Sequence, residues 1–194
     1  MTSRTQIHLQ PVSREDVERI ARWLDDPEVA DSWYGKDEAG SPIHIGYQPR
    51  KLVDAPSEAW AEAFFSPERR VLSIYAGDEG HIGEVQIELE DPLKNAQVFV
   101  LVGRKDLWQR GFGSAALAQA LDMVFGELEA HRAWADVPEY NKPALRMCEQ
   151  LGFTLEGRLR GTRFKDGHWY DSVVLGMLAE EYTRRKASGR VPAF

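Results

Sequence analysis

The sequence contains only one cysteine, Cys148, among its 194 residues. A lone cysteine excludes an intramolecular disulfide, and with it the small secreted scaffolds that disulfides hold together. No apolar run approaches the roughly 18 residues of a membrane-spanning helix, and the longest, over 98–102, has the length of a strand. Residues 1–10 lack the apolar core of a signal peptide. These absences predict a cytoplasmic protein with no membrane partner.

Positive charge is also scarce. The chain has 24 lysines and arginines against 31 aspartates and glutamates, a net charge of −7. This balance argues against a nucleic-acid partner and slightly favours a cationic one. The five histidines show no paired spacing, so no metal site is expected. A hydrophobic content of 43% excludes a wholly disordered chain, and the length favours one domain over residues 1–194.

The N-terminal pattern predicts a short strand and then a helix. Ile7 and Leu9 alternate with polar residues, and Ser13 and Asp16 form a capping pair three residues apart. Apolar residues then recur at helical spacing. Over residues 31–56 the periodicity disappears while aromatic residues continue, which is typical of a binding loop.

The middle of the chain predicts a hairpin and a central strand. Residues 71–76 and 82–89 flank a Gly-Asp-Glu-Gly turn. In the second of these strands, Glu84, Gln86 and Glu88 alternate with apolar residues, so they should form a polar face. Residues 98–102 are apolar on both faces, as in a buried strand.

The remaining sequence alternates between helices and strands and ends in a tail. The predicted elements are a helix from Gly113, a strand over 133–137, a helix behind Asn141, strands around 153–164 and 169–178, a helix over 180–186 and a loose tail over 187–194. The whole order predicts a mixed α/β domain.

The first chemically informative stretch is Trp108-Gln-Arg-Gly-Phe-Gly-Ser-Ala-Ala-Leu117. It follows the buried strand and opens an amphipathic helix. Gly111 and Gly113 allow a ligand to approach the backbone, and the free N–H groups of a helix start favour an anion. A glycine-rich turn that merely tightens a strand-to-helix junction fits equally well. There is no Gly-Lys-Ser/Thr of a P-loop and no third glycine of a dinucleotide fingerprint.

The second stretch runs from Asn141 to Phe153 and places an asparagine at a helix start and Gly-Phe after its end. Both features are also good helix caps for local reasons. Together, in this order, the two stretches resemble the GNAT superfamily of acyl-CoA-dependent N-acetyltransferases. The run from Glu156 to Ser172 is similar to the ribosomal-protein N-terminal acetyltransferase subgroup. Trp23 to Gly35 and Asp136 are similar to aminoglycoside 6′-N-acetyltransferases.

The resemblance implies a fold and a cofactor site. The fold is a mostly antiparallel central sheet, flanked by helices, whose strands 98–102 and 133–137 are parallel but splay apart. Acetyl-CoA would enter that gap as a co-substrate, with its pyrophosphate on backbone N–H groups. A homodimer is common in the superfamily. The implied cofactor residues are Val100, Leu101, Val102, Gln109, Arg110, Gly111, Phe112, Gly113, Ser114, Ala115, Asn141 and Ala144.

Three positions depart from the family pattern. Trp108 stands where the family has Arg or Gln, unless the register shifts to Arg110. Ala144 stands where a serine often touches the cofactor. Cys148 stands where many members have a tyrosine that protonates the departing thiolate. A thiol with a pKa near 8.5 can serve as that acid only weakly, and a small buried apolar role is favoured for Cys148.

The attack of an amine on a thioester needs a base, an oxyanion donor and an acid for the thiolate. The candidate bases are Asp136 and Asp171, followed by Glu84, and each can instead be an ordinary ion-paired carboxylate. The expected walls of the acceptor pocket are Trp33, Tyr34, Tyr47 and His168, although the loop aromatics can equally be a hydrophobic plug.

Two functions of different class fit the sequence. The first is an acetyl-CoA-dependent N-acetyltransferase acting on a primary amine, either of a small cation or of a protein N-terminus. The second is a non-catalytic acyl-CoA-binding sensor or complex subunit, suggested by the missing tyrosine.

Overall fold

The computed structural model describes residues 6–37, 39–64 and 66–191. Its centre is a seven-stranded sheet in the order β1-β2-β3-β4-β5-β7-β6. Within the described part of the chain, no helix is long and apolar enough to cross a membrane. The strands are β1 (Ile7–Pro11), β2 (Arg69–Ala76), β3 (Gly80–Glu90), β4 (Asn95–Val102), β5 (Arg132–Pro138), β6 (Thr154–Lys165) and β7 (His168–Leu178).

Helices cover both faces of this sheet. They are α1 (Arg14–Trp23), α2 (Pro27–Ser32), α3 (Pro49–Leu52), α4 (Ser57–Phe64), α5 (Phe112–Asp122), α6 (Lys142–Leu151) and α7 (Ala179–Ala187). The larger core packs α5, α6 and α7 against one face, and α1 to α4 cover the other. The mixed α/β fold expected from the sequence is confirmed, and of the predicted tail, residues 192–194 lie outside the described residues.

The parallel pair of strands splays as the resemblance implies. Among the described residues, β4 and β5 pair only where Asn95–Gln97 faces Arg132–Trp134. All other neighbouring strands in the sheet pair antiparallel. Beyond Gln97 the two strands diverge, and the backbone of β4 from Val98 onward has no ladder to β5. The sheet therefore opens at the ends of β4 and β5.

The expected loop over residues 31–56 is wrong in part, because two short helices lie within or across its bounds. α2 begins at Pro27, where Asp26 caps the helix by accepting a hydrogen bond from the backbone N–H of Glu28 at 2.9 Å. An Asp-Pro pair is a helix-start pattern that the apolar periodicity did not reveal. α3 also begins at a proline, Pro49, but Gln48 before it makes no side-chain capping hydrogen bond among the described residues. The intervening residues are irregular apart from one bridge between Lys36 and Pro42.

The expected polar face of β3 is also wrong for its first half. Glu84 and Gln86 are 1% and 0% exposed, since the α1–α4 layer covers this side of the strand. The opposite side carries Val85 and Ile87 into the main core, so the alternation itself is real. The alternation of polar and apolar residues along β3 shows that the two faces of the strand differ. It does not show whether other elements cover the polar face.

Candidate active site

A cavity of about 200 Å³ lies where the end of β4 meets the starts of α5 and α6. Its floor is the gap that the splayed strands leave. Eight of the residues expected to bind the cofactor line it: Val100, Val102, Gln109, Gly111, Gly113, Ser114, Asn141 and Ala144.

The start of α5 presents backbone N–H groups to this cavity. Gly111, the residue before the helix, has a φ of 90°, in the left-handed region that favours glycine. In the described structure no side chain caps this helix start. The first N–H groups of a helix have no partner within the helix, and the helix dipole adds positive potential there. The α5 start is thus a ready seat for a phosphate group.

The remaining four expected cofactor side chains lie outside the cavity lining. Leu101 belongs to the small cluster under α1 and α2, whereas Phe112 and Ala115 are buried in the main core. Arg110 approaches Glu79, with 3.8 Å between guanidinium nitrogen and carboxylate oxygen. At the three buried positions, contact with a ligand would have to come from the backbone.

Trp108, at the position where the family has Arg or Gln, ties the loop to the strand. Its indole Nε1–H donates to the carbonyl oxygen of Val102 at 2.7 Å. Trp108 also lines the cavity. The side chain therefore fixes the geometry of the loop, and it adds no charge for a phosphate.

A second, inner cavity of about 70 Å³ continues the first. The two share five lining residues, namely Ser32, Val100, Asn141, Ala144 and Met147. The inner cavity also contacts Trp33, Tyr34, Asp136 and Cys148. One groove therefore runs from the start of α5 to the middle of β5.

Asp136 lies on β5 at the inner end of the groove, and only one of its two carboxylate oxygens has a hydrogen-bond partner among the described residues. Its Oδ2 accepts a hydrogen bond from the Arg163 guanidinium at 2.6 Å. Its Oδ1 is buried with no hydrogen-bond partner in the residues that the structure describes. Arg163 comes from β6 and stacks over the ring of Tyr34, with 4.5 Å from guanidinium carbon to ring centroid.

Arg163 was not among the residues that the sequence singled out. It is 8% exposed, and arginine is rarely so buried unless it is paired. Its position in a strand rich in charged residues gave no sign of burial. Only the pairing of β6 with β7, and of β7 with β5, brings it to Asp136.

Cys148 is buried in α6 and contacts the inner cavity. Burial raises the pKa of its thiol to about 12, with a smaller contribution from Glu149. The group is therefore a neutral thiol at physiological pH and a weak acid.

Asp171 and His168 lie outside both cavities. The Oδ1 of Asp171 accepts from the backbone N–H of Gly161 at 3.0 Å, and its Oδ2 is 3.5 Å from the Arg158 guanidinium. His168 is exposed at the β6–β7 turn, where its Nδ1 lies 2.8 Å from the carbonyl oxygen of Asp166. Both are held by local contacts of the hairpin.

Glu84 and Tyr47 belong to one buried cluster with His44. Glu84 Oε1 lies 2.7 Å from His44 Nε2, and Oε2 accepts from the Tyr47 hydroxyl at 2.5 Å. The Gln86 amide donates to Oε1 at 2.7 Å. Burial acts to raise the pKa of Glu84, but His44 and the hydrogen bonds together lower it below its usual value. Glu84 is thus an ionised carboxylate whose oxygens are already occupied.

His44 completes this cluster, and both of its ring nitrogens have a partner. Its Nδ1 lies 3.1 Å from the carbonyl oxygen of Tyr47. The buried contact between His44 and Glu84 therefore links the segment after α2 to β3. Among the described residues, no group of three or more potential ligands could hold a metal ion.

Comparison with known proteins identifies a family for this chain. Residues 6–154 match the acetyltransferase (GNAT) domain. The SPbeta prophage-derived uncharacterized N-acetyltransferase YokL of Bacillus subtilis is 36% identical over 73 residues, which are 38% of this chain and 41% of that protein. The uncharacterized N-acetyltransferase p20 of Bacillus licheniformis is 26% identical over 179 residues, which are 91% of this chain and 95% of that protein.

A solved structure shares the fold. The spermidine N-acetyltransferase of Vibrio cholerae, in complex with CoA and spermine, superposes with a TM-score of 0.75 at 21% identity. The match covers 92% of this chain and 98% of that one. Since the family match spans well over half of the sequence and the splayed-strand groove is present, the chain belongs to the GNAT family of acetyltransferases, which transfer an acetyl group from acetyl-CoA to an amine.

Proposed function

We propose that the acceptor of this acetyltransferase is a primary amine of a small cation, of the linear diamine or polyamine type. The observation that carries the proposal is the buried Oδ1 of Asp136, which has no partner among the described residues and lies at the inner end of the groove. An unpaired buried carboxylate oxygen is costly. A substrate ammonium or amine N–H is the partner it needs.

The chemistry of the groove suits acetyl-CoA. The unpaired backbone of β4 after Gln97 can hydrogen-bond the amide groups of the pantetheine arm. The uncapped N–H groups around Gly111 to Ser114 can hold the pyrophosphate. In this placement the acetyl thioester, which supplies the group to be transferred, enters the inner cavity beside Asp136.

A named relative also supports a cationic amine. The structural relative from Vibrio cholerae is named for spermidine. In this chain Asp136 is the acidic side chain among the described residues that line the inner cavity.

Cys148 has no part in the proposed proton transfers. A thiol with a pKa of about 12 is a weaker acid than a free thiol near 8.5, so it cannot protonate a departing CoA thiolate efficiently. We propose that the thiolate leaves unprotonated and takes its proton from solvent. The amine proton passes to Asp136 or to water held there.

The test is acceptor-dependent release of CoA thiol from acetyl-CoA. The panel contains spermidine, putrescine, butylamine, an aminoglycoside and a peptide with a free N-terminus. We expect the highest kcat/KM for spermidine or putrescine, and a lower value for butylamine, which has one ammonium only. A preference for the peptide or the aminoglycoside would overturn the acceptor class. Tight CoA binding without turnover of any amine would favour the sensor function.

Two further expectations from the sequence stay predictions. A homodimer is tested by light scattering of the purified protein. A cytoplasmic location is tested by fractionation of the source cells.

A further inference from the structure

The indole nitrogen of Trp33 is a buried hydrogen-bond donor without a protein acceptor. Trp33 is 5% exposed, and across the described residues its Nε1 finds no partner. Leaving such a group unsatisfied is costly, and most buried polar groups in folded proteins are paired. Trp33 lines the inner cavity, where a bound substrate can supply the missing acceptor.

Two residues that line this cavity therefore carry one unused donor and one unused acceptor. Trp33 Nε1–H can only donate, whereas the Oδ1 of Asp136 accepts. The reacting pair in acetyl transfer has the complementary groups, a thioester carbonyl oxygen and an amine N–H. We propose that Trp33 is a catalytic residue whose Nε1–H donates to the carbonyl oxygen of the acetyl thioester. The inference rests on the proposed function for the placement of the thioester.

Acetyl transfer proceeds by direct attack of the amine on the thioester. The amine lone pair forms the C–N bond, and the carbonyl π pair moves onto oxygen, where the hydrogen bond from Trp33 strengthens as negative charge develops. The pair then returns to carbon as the C–S bond breaks and CoA leaves as a thiolate. The nitrogen gives its proton to Asp136, which passes it to water, and the thiolate takes one proton from solvent. The products are an N-acetyl amine and CoA.

The packing around Trp33 holds the donor still before any substrate binds. Its ring contacts those of Tyr34 and His44 at 5.7 Å and that of Phe99 at 5.9 Å between centroids. Such ring pairs stabilise the packed arrangement beyond the burial of their area. A donor that is already oriented needs no reorganisation as charge develops, and this is the source of its catalytic effect.

The buried pair of His44 and Glu84 extends this support. The imidazole is fixed through both nitrogens, at 2.7 Å to Glu84 and 3.1 Å to the Tyr47 carbonyl. Because the His44 ring packs on Trp33, these two contacts fix one side of the indole. Neither Glu84 nor His44 lines the groove.

The experiment replaces Trp33 by 3-benzothienylalanine, which keeps the ring shape and exchanges the N–H for sulfur. We expect kcat to fall by about 100-fold or more, the typical loss of one oxyanion donor, with the affinity for free CoA, which lacks the carbonyl oxygen, unchanged. The matched control is the same replacement at Trp169, which is 66% exposed on the β6–β7 hairpin. A Trp33 variant that is folded and retains wild-type kcat would overturn the proposal.

A spectroscopic readout separates this inference from the choice of acceptor. Acetyl-CoA labelled with carbon-13 at the thioester carbonyl is bound without any amine, and its carbonyl stretch is recorded by infrared difference spectroscopy. We expect a lower frequency in the wild type than in solution, and a return towards the solution value in the Trp33 isostere. Equal frequencies in the two proteins would contradict a hydrogen bond from Trp33, even if no amine on the panel were acetylated.

Discussion

At the scale of single residues, the main feature of the groove is Asp136, a carboxylate with a hydrogen bond to only one of its oxygens among the described residues. Arg163 occupies one oxygen of Asp136 at 2.6 Å and leaves the other buried and facing no partner in the described chain. The guanidinium fixes the carboxylate and at the same time stacks on Tyr34. Asp171 is the other aspartate that the sequence favoured. Both of its carboxylate oxygens contact groups of its own β6–β7 hairpin.

This contrast predicts different effects for two matched substitutions. Asp136→Asn keeps the size and can still accept from Arg163, but it loses the charge that binds an ammonium. We expect the KM of the amine to rise by about 10- to 100-fold, which corresponds to the loss of a hydrogen bond to a charged group. We also expect kcat to fall, because the amide cannot take the amine proton. Asp171→Asn should leave both KM and kcat unchanged. Steady-state kinetics with saturating acetyl-CoA measure both, and an equal effect of the two changes would contradict the assignment.

Cys148 carries a second prediction at this scale. Because its thiol has a pKa of about 12, it cannot act as an efficient acid, and Cys148→Ala should keep kcat within about threefold of the wild type. Thermal unfolding of the variant controls for the small cavity that the substitution leaves. A loss of kcat by tenfold or more without loss of stability would show that the thiol takes part in the reaction.

Residue identity and spacing were enough to single out Asp136, Trp33 and Tyr34, because each stands beside a recognisable motif. They named Glu84 as a candidate base but did not show its burial, because the alternating pattern of its strand does not say what covers each face. Arg163 escaped attention because its burial depends on pairing across two strands. Burial of a charged group is a property of the assembled fold, and a local pattern does not encode it.

At the scale of elements, the divergence of β4 and β5 creates the site. Their pairing ends at Gln97 and Trp134, and α5 and α6 begin at the open end. Gly111 turns the chain into α5 in a left-handed conformation with a φ of 90°. The close packing of α5 on α6 also uses Gly113, where an added Cβ would lie 3.3 Å from the sulfur of Met147.

Substitution of Gly111 therefore tests whether the backbone N–H groups at the start of α5 bind the pyrophosphate. Gly111→Val forces a β-branched residue into the left-handed region and places its side chain at the cavity wall. We expect the affinity for CoA to fall by at least about tenfold, since the backbone N–H groups move. Titration calorimetry measures the change.

The control for this variant is Gly167→Val. Gly167 has a similar φ of 79° and nothing within 4 Å of an added Cβ, and it lies in the β6–β7 turn away from the groove. It should reproduce the backbone strain without loss of CoA affinity. Unchanged affinity in the Gly111 variant would refute the placement of the pyrophosphate.

The elements themselves were largely predictable, because helix caps and apolar periodicity act over a few residues. Ser13 and Asp16 form the expected capping box, and Asn141 and Gly152 bound α6 as their residue types favour. The segment around α2 and α3 was harder, since each helix is shorter than two full turns. Such helices owe their stability mainly to tertiary packing, which a short pattern does not record.

At the scale of the whole molecule, the N-terminal half is fastened by buried polar groups. Asp16 caps α1 and also accepts hydrogen bonds from Ser73 and Tyr75, both at 2.8 Å. His81 lies beside it, with 3.3 Å from Nδ1 to the Asp16 carboxylate, and its Nε2 lies 2.8 Å from the Gly83 carbonyl oxygen. The net charge of −7 is compatible with an anionic substrate because the groove presents N–H dipoles at the α5 start.

This arrangement predicts loss of stability in mild acid. Burial lowers the pKa of His81 below its ordinary 6.5, although Asp16 and the Gly83 carbonyl act in the opposite direction. The unfolded chain then binds a proton more readily than the folded one, so stability is lost as pH falls below about 6.5. Urea unfolding at about pH 7 and about pH 5 should show a smaller loss for His81→Gln than for the wild type. An equal loss in both would contradict the contribution of His81.

The central claim is that acetyl-CoA lies between β4 and β5 with its thioester at the inner cavity. The position of the CoA sulfur in a crystal structure of the complex tests it most directly. The account predicts pantetheine paired with the free edge of β4, pyrophosphate on the N–H groups at Gly111 to Ser114, and the sulfur facing the space between Trp33 and Asp136. A CoA molecule bound outside this groove, or a sulfur that reaches neither residue, would contradict it.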